Sequence, residues 1–204
     1  MINFKQIVWI ETDDLNNIIN EKNKPIKDYL NLLKSAILKS YNNFSEIENN
    51  KRIKVCNYDI NEKKSLLSLY NSKTVSAKKV IQSIIDNLNP KHDSRCLYCG
   101  IGEYEEIDHF LPKEHFPEYS ILFKNLIPIC GKCNKIKGQK IPGENVDYLH
   151  LTYDILPLEE YLELDIKLKN KTPILNYRVK SNFNGTLIDN HISALKLTSR
   201  YNKK

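Results

Sequence analysis

The chain has 204 residues, with 31 Lys+Arg against 25 Asp+Glu and a formal net charge of +6. That length points to one compact domain with an appended helical part, and to a core large enough not to need crosslinks. No apolar run approaches the ~18 residues of a membrane span, and the first residues lack a secretory leader pattern. A soluble cytoplasmic protein with no membrane partner is therefore expected, and the mild basic excess is compatible with a polyanionic partner without requiring one.

Residues 1–92 read as a mainly helical region. From Ile26 to Phe44, the apolar residues Tyr29, Leu30, Leu33, Ala36, Ile37, Tyr41 and Phe44 recur at three- and four-residue steps, the spacing of one buried helix face. A second such stripe runs through Ala77, Val80, Ile81, Ile84, Ile85 and Leu88, with Thr74 or Ser76 as its cap and Pro90 as its stop. Both are expected to be core faces of a small bundle. Cys56, which has no cysteine partner nearby in sequence, is expected to fill core volume.

Residues 93–143 have a different texture. Residues 90–143 carry four of the five cysteines, five of the eight prolines and five of the six glycines, a density of turn formers and soft ligands that marks a small metal-organised unit. Residues 144–204 return to wider apolar spacing. Asn184-Gly185 is a turn signal, and a terminal amphipathic helix from Ile188 to Tyr201 is expected to pack back on the core.

Cys96-Leu97-Tyr98-Cys99 and Cys130-Gly131-Lys132-Cys133 each place two thiols at the spacing that lets both reach one ion at about 2.3 Å. In a reducing compartment, two such pairs favour zinc over disulfides. A closed four-cysteine site leaves the ion no open position, so its task would be structural: it ties together the ends of residues 96–133. Gly100 and Gly131 supply permissive backbone for the two knuckles.

Between and after the pairs stand Asp108-His109-Phe110-Leu111-Pro112-Lys113, then Asn125-Leu126-Ile127-Pro128, then Cys130-Gly131-Lys132-Cys133-Asn134-Lys135-Ile136-Lys137-Gly138. These residues resemble the HNH endonuclease family over about 45 positions. The resemblance implies an α+β fold in which a ββα-metal, treble-clef-like core is flanked by helical segments. It also implies hydrolysis of nucleic-acid backbone to 3′-hydroxyl and 5′-phosphate ends, and one divalent ion, Mg²⁺ or Mn²⁺, between hairpin and helix.

Hydrolysing a phosphodiester requires an activated water, and an imidazole such as His109 titrates in the range where it can take that proton. The family pattern makes Asp108 a metal ligand, Asn134 its partner ligand, and Asn125 the residue that bridges the hairpin and orients the histidine. Adjacent residues on a strand point to opposite faces, so Asp108 and His109 are expected to need a bulge or bend to share one site. Lys137 and Lys113 are candidates for phosphate contacts, although lysines at such positions also serve as plain solvated surface. Asn134 could equally cap a helix, Asn125 could be an ordinary turn residue, and His115 could be a ligand or a packing residue. His92, His150 and His191 carry no functional signal.

The longer string from Asp108 through Pro117-Glu118-Tyr119-Ser120 is similar to the HNH subunit of Septu-type and retron-associated anti-phage systems, as is Tyr148–Asp154. That similarity implies an ATPase partner. Three functions stay open on sequence: a DNA endonuclease, the same chemistry on RNA, and a zinc-organised binding module without catalysis.

Overall fold

The structure is a computed structural model, and it describes residues 12–44, 54–86, 94–144, 146–150, 154 and 156–202. His92, Pro90 and residues 151–153 lie outside the described residues.

Four helices come first: α1 (Thr12–Asn20), α2 (Ile26–Asn43), α3 (Ile60–Asn71) and α4 (Val75–Asp86). The stripe read from Ile26 to Phe44 falls on α2, which packs on α3 while α1 packs on α4. Their shared core is Leu15, Ile18, Ile19, Leu30, Ile37, Leu66, Leu69, Ala77 and Val80. At the start of α3 the Asp59 side chain accepts from the N–H groups of Asn61 and Glu62, and Glu62 returns the bond to Asp59 N–H, which satisfies donors that would otherwise be orphaned. At its far end the buried Lys22 Nζ lies 2.6 Å from Ser68 O and 2.7 Å from Ser72 O, placing a cation at the negative end of the helix. Thr74 Oγ1 accepts from Ala77 N–H at the start of α4.

The metal-type unit follows. β1 (Glu106–His109) pairs antiparallel with β2 (Leu126–Ile129), and α5 (Gly131–Lys137) leaves directly from β2. The register runs unbroken from Glu106↔Ile129 to His109↔Leu126, so the bulge expected between Asp108 and His109 is absent. β1 is four residues long and all four line one cleft, so residues from both of its faces reach the same space. The 16 residues joining β1 to β2 contain the short 3₁₀ turns Pro117–Tyr119 and Phe123–Asn125 and are mostly buried. Ile121, from this connection, enters the helical core, while Phe123 and Leu126 pack with Ile84 of α4. The helical region and the ββα unit are therefore fused through shared packing.

Beyond residue 144, where only wide apolar spacing and a terminal helix are expected, residues Leu162–Lys169 (β3) and Thr172–Val179 (β4) form an eight-by-eight antiparallel hairpin. Its two-residue turn, Asn170-Lys171, has both φ values positive, at 51° and 65°, the backbone a tight right-twisted hairpin needs. Leu162, Leu164, Ile166 and Leu168 face Val179, Tyr177, Leu175 and Pro173 across the ladder. Period-two alternation was legible there.

The expected terminal helix is two helices, α6 (Leu187–Ala194) and α7 (Leu197–Tyr201), because Lys196 adopts the left-handed conformation, with φ 55°, and breaks the run. Both pack on the cysteine unit: Ile188, Ile192, Leu195 and Leu197 share a core with Cys96, Cys99, Cys130, Cys133 and Tyr148. Cys56 is exposed, not core filler; it lies in the extended segment leading into α3, which presents it to solvent. Among the described residues no helix is long and apolar enough to cross a membrane.

Candidate functional site

The four paired cysteines converge. Their sulfurs all lie within 4.8 Å of one another and all four residues are buried. A tetrahedral ion bound at 2.3 Å holds its sulfurs about 3.8 Å apart, and Cys99 Sγ and Cys130 Sγ are separated by 3.8 Å. Zinc thus fits both the donor chemistry and the spacing. The first pair sits on a turn closed by Gly100 N–H donating to Cys96 O at 2.8 Å, with Gly100 at φ +61°. Cys130 is the residue before α5 and Cys133 lies in its first turn.

Arg200, from α7, is an unforeseen neighbour of this cluster. Its guanidinium nitrogens lie 3.2 Å from Cys133 Sγ, 3.3 Å from Cys99 Sγ and 3.9 Å from Cys130 Sγ, and the residue is 8% exposed. Tyr201 Oη donates to Cys99 O at 3.0 Å. His191 Nδ1 accepts from Leu149 N–H at 3.2 Å, so the ring proton is on Nε2, which donates to Tyr98 O at 3.0 Å.

Next to the cysteine unit lies a cleft of about 460 Å³. Asp108, His109, Asn134 and Lys113 line it together, as do Glu105 and Glu106 from the same hairpin, Tyr104, and Tyr70 and Lys73 from the helical region. Four of the six residues singled out from the motif for this chemistry thus meet there, and two, Asn125 and Lys137, do not.

His109 is 4% exposed. Its Nε2 lies 2.8 Å from Ser120 O; a carbonyl only accepts, so the ring proton sits on Nε2 and Nδ1 keeps the lone pair. Burial is the main reason the imidazole is held down at about 4, against the partial opposing pull of that hydrogen bond and of Asp108. The Tyr70 ring meets the imidazole edge-on at 4.5 Å, and Tyr70 Oη donates to Ile107 O at 2.7 Å. Burial, and then the Asp108 and Glu106 carboxylates, raise the Tyr70 phenol, so it remains a donor. Ser120 in turn donates from Oγ to Leu66 O at 2.8 Å, tying the carbonyl that holds His109 to α3.

Asn125 is fully buried, and its side-chain hydrogen bonds go to main chain rather than to the imidazole. Its Oδ1 accepts from Leu111 N–H at 2.7 Å, and its Nδ2 donates to Leu111 O and Tyr119 O, both at 3.1 Å. It therefore clamps the chain two residues after His109 to the chain one residue before Ser120, and any effect on the ring is carried through Ser120 O.

Lys137 departs from the expected phosphate contact. It is 1% exposed, with Nζ donating to His109 O at 2.6 Å and lying 2.9 Å from Asp108 Oδ2. The latter contact is an ion pair outside hydrogen-bond geometry. The side chain turns inward because α5 packs across β1, where the carboxylate and the strand carbonyl receive its ammonium. Lys113 is only partly exposed and pairs with Glu114 at 2.8 Å. His115 lines a smaller hollow with Cys56 and Glu114, away from His109.

Asn134 Nδ2 donates to Glu106 Oε2. A carboxylate takes the amide's NH₂, so Glu106 fixes the orientation of the Asn134 side chain and leaves its Oδ1 as the atom that can ligate a metal ion. Glu105 Oε2 accepts from Gly131 N–H at 3.2 Å. A Cβ on Gly131 would stand 3.0 Å from Glu105 Oε2 and 3.2 Å from Glu106 Oε1, so glycine here accommodates the close approach of two carboxylates rather than an unusual φ. Nothing in the motif assigns a role to Glu106, nor to Tyr70, Ser120 and Arg200, whose contacts join residues 37 to 101 positions apart.

A hairpin feeding a short helix, a four-cysteine cluster at its base whose geometry suits zinc, and a His/Asp/Asn cleft beside it define a ββα unit of mixed α+β class. Residues 96–140 match the HNH endonuclease family, and the chain carries an HNH domain over that stretch. It is also similar to protein ea31 of Escherichia phage lambda, with 31% identity over 116 residues, 56% of this chain and 37% of that protein. Similarity to Septu protein PtuB of Bacillus thuringiensis is 33% over 86 residues, 39% of this chain and 32% of that protein. The chain thus spans only about a third of the length of these relatives. No solved structure matches it significantly.

Proposed function

We propose that the chain is a metal-dependent endonuclease that hydrolyses DNA phosphodiester bonds, with His109 as general base. The observation that carries this reading is the fixed tautomer of His109. Its Nε2 proton is held by Ser120 O, so Nδ1 is the basic atom in a residue that lines the cleft beside Asp108 and Asn134.

The Asp108 carboxylate and the Asn134 amide oxygen, which line the same cleft, would hold a divalent ion through oxygen donors of the kind that suits Mg²⁺ or Mn²⁺. Such an ion, when bound, stabilises charge on the phosphate and on the departing oxygen. Glu106 holds the Asn134 amide so that its oxygen is available. Lys137 keeps Asp108 paired with a positive charge. His109 Nδ1 takes the proton of the attacking water; the low basicity that burial imposes keeps the ring neutral and ready at pH 7. Tyr70 covers one side of the imidazole and fixes its ring plane. Asn125 keeps the carbonyl that orients the ring in place.

Similarity to a Septu protein and the motif extending through Ser120 support a role in anti-phage defence in the cytoplasm, beside an ATPase partner. The test is cleavage of supercoiled plasmid with Mg²⁺ or Mn²⁺ by wild type and His109→Ala at equal zinc content. Metal-dependent cutting lost in the variant supports the reading. Zinc-loaded, folded wild type that cuts neither plasmid nor RNA, with and without the ATPase partner, would overturn it.

The ion pair between Lys137 and Asp108 favours one rival, a binding module whose would-be metal ligand is permanently occupied by a lysine. Titration of the zinc-loaded protein with Mn²⁺, read by electron paramagnetic resonance, separates the two: a binding module takes up no Mn²⁺ that depends on Asp108.

A further inference from the structure

Four thiolates around one Zn²⁺ carry a net charge of −2, and here all four sit in a buried place. A buried charge of that size is costly without a compensating partner. The Arg200 guanidinium supplies one, with two of its nitrogens spread over three of the four sulfurs at 3.2, 3.3 and 3.9 Å. Its planar fork and permanent charge suit several acceptors at once, which an ammonium on a flexible stem does not. Two further bonds dock the same terminal segment onto the first knuckle, from Tyr201 Oη to Cys99 O and from His191 Nε2 to Tyr98 O.

We infer that Arg200 hydrogen-bonds the zinc thiolates and sets how tightly the ion is held, so that zinc loading and docking of residues 187–202 are one coupled event. Outer partners of metal ligands typically change metal affinity by about 10- to 100-fold. By linkage, zinc strengthens the docking of the terminal segment by the same factor. The coupling extends outward, because Tyr177 N–H of β4 donates to Asn202 Oδ1 at 2.6 Å and α7 packs on β4. The zinc state therefore reaches the β3–β4 hairpin through one arginine. None of this depends on the nuclease chemistry.

The test is competition for zinc between the full chain and a chelator of known affinity, for wild type, Arg200→Met and Arg200→Lys. A second readout is the sulfur-to-metal charge-transfer band after cobalt(II) replaces zinc. Arg200→Met is expected to weaken zinc binding about 10- to 100-fold and to move the cobalt band to longer wavelength, because thiolates without hydrogen-bond donors give up electron density more easily. Arg200→Lys is expected to fall between Met and wild type in both. Wild-type affinity and an unmoved band in either variant would overturn the inference. So would an affinity loss with an unmoved band, because the arginine would then act by packing alone. Should Arg200→Met not fold, Arg200→Lys carries the test.

Discussion

Lys137 and Asp108 meet across the interior of the ββα unit, ammonium to carboxylate at 2.9 Å, with the lysine side chain 1% and the aspartate side chain 15% exposed. Breaking a buried pair by removing one partner leaves an uncompensated charge and typically costs about 3–5 kcal/mol. Lys137→Met is therefore expected to lower the urea midpoint strongly, and adding Mn²⁺ is expected to return part of the loss by giving Asp108 a new counter-charge. Urea unfolding with and without Mn²⁺, together with the Lys137→Met/Asp108→Asn double variant, checks this. The double variant should be more stable than Lys137→Met alone.

Acid should loosen the fold through two histidines. Burial holds both His109 and His191 down at about 4, against an unfolded value near 6.5. Between those values the unfolded chain binds more protons than the native one, so stability is complete above about pH 6.5 and declines as pH falls towards 4. The loss at pH 5 is on the order of 2 kcal/mol per histidine. Urea midpoints between pH 7.5 and 5 should show the decline, and His191→Gln should flatten it. A midpoint that stays level over that range would contradict the burial of both rings.

Asn125 has no substitute that keeps all its bonds. Asn125→Ala strips partners from three buried main-chain groups, Leu111 N–H, Leu111 O and Tyr119 O, at an expected cost of about 2–4 kcal/mol. Asn125→Asp can still accept from Leu111 N–H but has nothing to donate to the two carbonyls, so it should rescue little. Chemical denaturation of both variants measures the effect. An aspartate variant as stable as wild type would show that the clamp carries little weight.

The cleft receives its positive charge from Lys73 on the helical side and Lys113 on the hairpin side. If DNA enters there, removing either lysine weakens binding and lowers the slope of log affinity against log salt by about 0.9. Fluorescence anisotropy with the His109→Ala protein measures binding without cleavage. Lys78, exposed on α4 and outside the cleft, is the control. An equal effect from all three lysines would mean that DNA does not use the cleft.

Gly131→Ala tests the carboxylate approach at the start of α5. A Cβ 3.0 Å from Glu105 Oε2 and 3.2 Å from Glu106 Oε1 obliges both side chains to move. The variant should weaken Mn²⁺ binding several-fold, because Glu106 then loses its hold on Asn134, with little change in overall stability. Isothermal titration with Mn²⁺ checks this.

The parts of the site written within one stretch of chain were readable. Cys96, Cys99, Cys130 and Cys133 announce themselves by spacing, and Asp108, His109 and Asn134 by their place relative to them; all lie within 39 residues. The role of Lys137 was not readable, because an inward and an outward lysine look the same in sequence. Neither were Tyr70, Ser120 and Arg200, whose significance comes from partners far along the chain. In the fold, the 3.6-residue stripe of α2 was clear. The single long terminal helix was not to be had, since nothing in Leu195-Lys196 signals the left-handed residue that splits it. The β3–β4 hairpin was legible in its alternation, but Asn170-Lys171 lacks the glycine that usually flags such a turn.

The bonds from Tyr70 to Ile107 and from Ser120 to Leu66 also decide what can be excised. Residues 96–140, grafted into another host, would bring the four paired cysteines, Asp108, His109 and Asn134 along. They would leave behind the ring that shields the imidazole, the backbone acceptor that steadies Ser120, and the arginine on the sulfurs. In this chain the HNH stretch is not self-contained: its contacts run from α3 to α7, and shuffling it between proteins with those contacts intact would have to move nearly the whole sequence.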